Sequence, residues 1–111
     1  MTKPSNAARL PGLIRRLDAE LARIEKEVGP QPAFRGTNWG ELDRWRHQEA
    51  IAFNRLFNTL QQVEGASVSM DGAGHRMRMA GVATSCTSGM HGLLRNWQNA
   101  AHRRIEKERA S

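Results

Sequence analysis

The spacing of apolar residues changes period at Gly65-Ala66, and this change fixes the fold class of the chain. Ahead of it, apolar residues recur at helical intervals. Directly after it they alternate with polar ones, and from Met90 onward the helical interval returns. In 111 residues this order predicts a single α+β domain. The expected architecture is a two-helix antiparallel hairpin, then a β-hairpin, then a C-terminal amphipathic helix. Residues 10–111 form the domain, behind a flexible tail at 1–9 that is poor in apolar anchors.

The first helix is marked by Leu10, Ile14, Leu17, Leu21, Ile24 and Val28, an a/d seam widened by Leu13. Pro11 suits its first turn and Gly29-Pro30 its end. Arg16/Glu20 and Arg23/Glu27 pair at i,i+4 on the other face. The seam packs on the next helix or serves a homodimer through residues 10–28. Asn38 with Glu41 is a capping-box pattern that opens the second helix. Trp39, Leu42, Trp45, Ala52, Phe53, Leu56, Phe57, Leu60 and Val63 share its apolar face, and Arg46 and Glu49 intrude at i,i+3 as an expected ion pair at the rim, the alternative being that they line a polar groove between elements.

Val68 and Met70 alternate with serines, and His75, Met77 and Met79 alternate with Arg76, Arg78 and Ala80. The turn Asp71-Gly72-Ala73-Gly74 joins them, so Met70 pairs with His75 and both arginines share the face of Ser69. The last helix carries an apolar stripe of Met90, Leu93, Leu94, Trp97, Ala101 and Ile105. Its wet side holds His91, Arg95, Gln98, Asn99, His102 and Arg103.

Charge is unevenly spread. The net +6 arises almost wholly after residue 71, where seven Lys and Arg face two acidic residues, and none of those acids lies between Gly72 and Ile105. The expected partner of this part is anionic. Arg dominates the basic residues, Ala is abundant and Tyr is absent, a usage typical of GC-rich bacterial or bacteriophage coding. A lone Cys86, no secretory leader and no apolar run of membrane length predict a cytoplasmic protein.

The candidate site is an anion-binding corner where the hairpin runs into the last helix. Thr84, Ser85, Thr87 and Ser88 offer hydroxyls, Gly89 permits close approach, and the helix start favours negative charge. Arg76, Arg78 and Arg95 complete it, while His102 and Arg103 extend a nucleic-acid surface along the helix. An ordinary Ser/Thr helix cap is the alternative. The glycine and lysine order of a P-loop is missing. Cys86 with His75 or His91 has no acidic group to orient the base, and no His or Cys spacing matches a metal site. No metal, cofactor or catalytic residue is expected.

The favoured reading is a small non-enzymatic protein of phage or mobile-element type. It binds a polyanion, either nucleic acid or a phosphate-bearing nucleotide. The competing reading is an inhibitor of the phage counter-defence kind that docks on a host protein.

Overall fold

The computed structural model describes residues 6–32, 39–71, 74–87 and 89–110. Its elements are α1 (Asn6–Val28), α2 (Trp39–Val63), β1 (Ser67–Asp71), β2 (Gly74–Met79), β3 (Val82–Cys86) and α3 (Met90–Ala110). This is the expected α+β order with a third strand added. Asn38 lies outside the described residues, and so does the capping box that rests on it.

α1 starts four residues earlier than its seam, so Asn6 to Arg9 are helix rather than tail and Pro11 lies inside the helix. Proline there forfeits one backbone bond in the second turn. Two tertiary contacts hold the turn before it: Leu10 is fully buried, and Arg9 pairs with Glu64 at 2.8 Å. Arg16, expected on Glu20, also reaches Glu64, at 2.7 Å, while Arg23 holds both Glu20 and Glu27. Glu64 sits just past the C-terminal end of α2, where a carboxylate meets the negative end of the helix dipole. Two guanidinium groups offset that, and they pin the start of α1 to the end of α2. At the opposite ends Trp45 donates its indole N–H to the Gly29 carbonyl at 3.0 Å. The two helices are therefore antiparallel, as the sequence predicts.

The α1 seam is buried from Leu10 to Ile24 against α2 and α3, so it is not left on the surface for a second copy. On α2 the core face holds from Leu42 to Leu60, but Trp39 and Val63 are 68% and 64% exposed. The terminal turns of this long helix overhang the core. Gly65, at φ +68°, closes α2. The Ala66 N–H returns six residues to the Leu60 carbonyl, which also accepts the Glu64 N–H, and Ala66 itself is buried.

The sheet is antiparallel in the order β1-β2-β3. Met70 pairs with His75 as predicted, and pairing continues to Asp71 with Gly74, so the loop is two residues rather than four. β2 turns into β3 through Ala80 and Gly81, both at positive φ (+52° and +79°), the signature of a type I′ turn. An alanine in the left-handed region is strained by about 1–2 kcal/mol. Glycine relieves this at an unfolded-chain entropy cost of about 0.4–1 kcal/mol. Ala80→Gly is therefore expected to stabilise the domain by on the order of 0.5 kcal/mol, read as a small rise in melting temperature. An unchanged or lower value would show that the turn is not strained.

α3 is the central element. Leu93, Leu94, Trp97 and Ala101 are buried in one cluster with Met77, Met79 and Val82 of the sheet, and α3 packs on α1 as well. This double cover changes one reading of the wheel. Gln98, assigned to the wet side, is 3% exposed because that side faces α1. Its amide N–H groups donate to the Ile14 carbonyl at 3.1 Å and to Asp18 Oδ1 at 2.9 Å, and its Oε1 accepts from Arg95. The buried amide is thus satisfied, as burial requires.

Candidate polyanion-binding face

Strand alternation divides the sheet into two faces. His75, Met77, Met79 and Val82 turn toward α3. Ser67, Ser69, Arg76, Arg78, Ala83 and Ser85 turn to solvent and are exposed. Arg76 and Arg78 are two residues apart on the central strand, which sets their Cα atoms about 6.8 Å apart on one face. Neither side chain has a hydrogen bond or ion pair among the described residues. With the serines and Thr84 they line an open groove of about 510 Å³.

A second groove, of about 280 Å³, lies where α3 passes the β2–β3 turn. Gly81, Val82, Ala83, Ala100, Arg103, Arg104 and Lys107 line it. Arg104 reaches the Gly81 carbonyl at 3.5 Å, while Arg103 and Lys107 have no partner among the described residues. Ala83 borders both grooves. The two basic groups are thus continuous across one small exposed side chain, and no acidic residue lines either groove. Fields of one sign add over such a surface.

The structure splits the corner that the sequence brought together. Thr84 and Ser85 are residues of β3, not caps of α3, because the chain stays extended to Cys86. Thr87 is exposed beyond the strand, Ser88 lies outside the described residues, and the Gly89 carbonyl accepts the N–H of Leu93 to open the helix. Arg95 turns the other way, to Asp18 on α1 at 3.0 Å. Arg76, Arg78, Ser85 and Arg103 remain on the basic face, while Thr84, opposite the buried Met77, borders the groove from a position on the inner face of β3. His102 is exposed on α3 but lines neither groove. Arg104, Lys107 and Ser67 join the face without having been singled out. Their signal was the i,i+3 spacing of Arg104 and Lys107 and the alternation that carries Ser69 back to Ser67.

A different cleft, of about 180 Å³, lies among the three helices and is lined in part by Glu25, Trp45, Glu49, Phe53, His91 and Arg95. Arg46, the expected partner of Glu49, is exposed and makes no ion pair with it. Burial pushes the Glu49 carboxyl above its usual range, and the nearby His91 partly opposes this. The folded state then holds its proton to higher pH than the unfolded chain. Stability from this group is lost as pH rises from the ordinary carboxylate range through the raised value, and the cost persists above it. Glu49→Gln is expected to raise the melting temperature at pH 7 and to lose that gain in acid below the ordinary carboxylate range. Thermal melts at both ends of that window check it, and a lower melting temperature at pH 7 would show that His91 and Arg95 hold the charge favourably.

Cys86 is half-buried and lies opposite His75 in the ladder, whose Nδ1 is buried without a hydrogen-bond partner among the described residues. Among the described residues no group of three His, Cys, Asp or Glu side chains converges as a metal site, and no helix is long and apolar enough to cross a membrane.

The fold and the face define a small α+β domain with a basic, serine-flanked sheet surface. Comparison with known proteins returned no match among protein families, curated sequences or solved structures.

Proposed function

We propose that this protein is a non-enzymatic binder of nucleic acid that grips the phosphate backbone through its basic face. One observation carries the reading. Arg76 and Arg78 on the sheet, and Arg103, Arg104 and Lys107 on α3, line two grooves that meet at Ala83 with no acidic residue between them. Arginine matches phosphate geometry with paired N–H donors, and the serine hydroxyls beside the strand arginines add neutral ones. An extended ligand fits better than a single nucleotide, because the lining side chains are mostly exposed and enclose nothing. Such contacts favour affinity without base specificity. The setting is the cytoplasm, where a lone Cys86 stays reduced.

The test is fluorescence anisotropy with labelled single- and double-stranded oligonucleotides over a salt series. Four or five phosphate contacts predict a log–log salt slope of about −3 to −4, with little dependence on sequence. Arg95→Ala leaves the affinity unchanged, since Arg95 faces Asp18. Absence of binding at low salt would overturn the reading and return the basic face to an acidic protein partner.

A further inference from the structure

The two edges of the sheet are treated differently. In a two-residue hairpin the closing residues exchange backbone hydrogen bonds. Asp71 with Gly74 and Met79 with Val82 are the closing pairs here, and both ladders agree on which groups point inward. On β3 the outward groups belong to Ala83 and Ser85, and α3 caps the second of these: Asn96 Nδ2 donates to the Ser85 carbonyl at 3.0 Å. On β1 the outward N–H and C=O groups belong to Val68 and Met70, and nothing among the described residues pairs with them. The strand Ser67–Asp71 has no lysine or proline and no bulge, and Met70 is 44% exposed. Proteins usually block a bare edge with such devices, because it templates pairing with another strand.

We propose that β1 pairs antiparallel with β1 of a second copy, making a six-stranded sheet about a two-fold axis at Ser69. The axis position follows from the chemistry. Val68 and Met70 must bond each other's copies for the outward groups to meet. Ser69 then faces Ser69 of the partner subunit, and Ser67 faces Asp71 of the partner subunit. On the face toward α3, Met70 covers Val68 of the partner subunit. On the outer face, hydroxyl meets hydroxyl and hydroxyl meets carboxylate, so no like charges oppose. The arginine-bearing β2 strands of the two copies stand three strand spacings apart, about 14 Å. This exceeds a Debye length of about 8 Å at physiological salt, so their repulsion is screened. A five-residue edge buries less than the roughly 1,200 Å² of a stable complex, and the dimer is therefore weak and concentration-dependent.

Sedimentation equilibrium without nucleic acid measures this apart from the polyanion reading. The expected result is a monomer–dimer equilibrium that Met70→Pro abolishes. Proline removes only an outward N–H there and leaves the β1–β2 ladder intact. Should Met70→Pro lose its native circular dichroism, a cysteine scan decides instead. In a Cys86→Ser background, Ser69→Cys sets two thiols across the axis at a non-hydrogen-bonded pair, about 4.5 Å between Cα atoms, a separation that a disulfide accepts. Ser69→Cys is expected to form a covalent dimer on mild oxidation, and Ser67→Cys, which faces Asp71 of the partner subunit, is not. A chain that stays monomeric at millimolar concentration overturns the proposal and leaves the edge to a strand of another protein. So does a dimer that folded Met70→Pro retains, or cross-linking equal at positions 67 and 69.

Discussion

Trp97→Ala is expected to remove most of the stability of this domain. Trp97 is fully buried at the centre of α3, between the sheet and α1. Truncating a buried tryptophan costs about 3–5 kcal/mol through lost transfer energy and the cavity left behind. Its indole N–H also donates to two carbonyls, Met79 and Val82, each at 3.2 Å. Those carbonyls flank the strained Ala80-Gly81 turn, so the same side chain fills the core and latches the β2–β3 hairpin. Losing both roles in a domain whose whole stability is about 5–15 kcal/mol leaves a chain at the edge of folding. Thermal melts followed by circular dichroism are expected to show a fall on the order of 15 °C, or loss of a cooperative transition. Trp97→Phe keeps most of the packing and loses only the N–H, so it is expected to cost about 1–2 kcal/mol. Equal effects of the two substitutions would show that the bond to the turn, not the ring volume, carries the stability.

That latch explains how far the sequence could be read. The helices were legible because their apolar residues repeat over many turns, and tertiary packing agrees with the period from Leu10 to Ile24 and from Leu42 to Leu60. The first hairpin was legible in register because Val68, Met70, Met77 and Met79 alternate around a glycine-rich turn. β3 was not. Its inner face offers only Val82, Thr84 and Cys86, and the run from Thr84 to Ser88 has the composition of a helix cap. Its turn is Ala-Gly, without the asparagine or aspartate that normally announces type I′ geometry. The position is tolerated because Trp97, fifteen residues beyond Val82, supplies the bonds from outside. One unseen strand then misplaced the site. With β3 read as a cap, Arg95 belonged beside the hydroxyls. With β3 in the sheet, α3 crosses the turn near Arg104 and Arg95 swings to Asp18, 77 residues away in sequence. A helical wheel gives the face of a residue but not which neighbour covers it, and Gln98 was misread for the same reason.

Removing the arginines from both halves of the basic face is expected to lower nucleic-acid affinity by orders of magnitude. Each lost phosphate contact takes one released counterion with it and reduces the salt slope by about 0.7–0.9. Arg76→Ala with Arg78→Ala is expected to flatten the slope by nearly 2, and Arg103→Ala with Arg104→Ala by less, because Arg104 already spends one donor on the Gly81 carbonyl. At low salt, where each contact is worth most, the fourfold variant is expected to bind roughly 10²–10³ times more weakly than the parent. The comparison that matters is between the two pairs. If one strand of nucleic acid runs across Ala83 from groove to groove, each pair weakens binding and their free-energy effects add, since separate phosphates are involved. If only one groove is used, one pair accounts for the whole loss and the other changes nothing. A bulky Ala83→Trp separates these cases further. It stands in the path of a bridging ligand while leaving every cation in place, so it weakens binding only if the ligand crosses that residue. Weakening by Ala83→Trp with a shallower salt slope, although every cation is still present, identifies a block on a continuous track, because the ligand then reaches only one groove, whereas unchanged binding in that variant excludes the track and leaves two independent grooves.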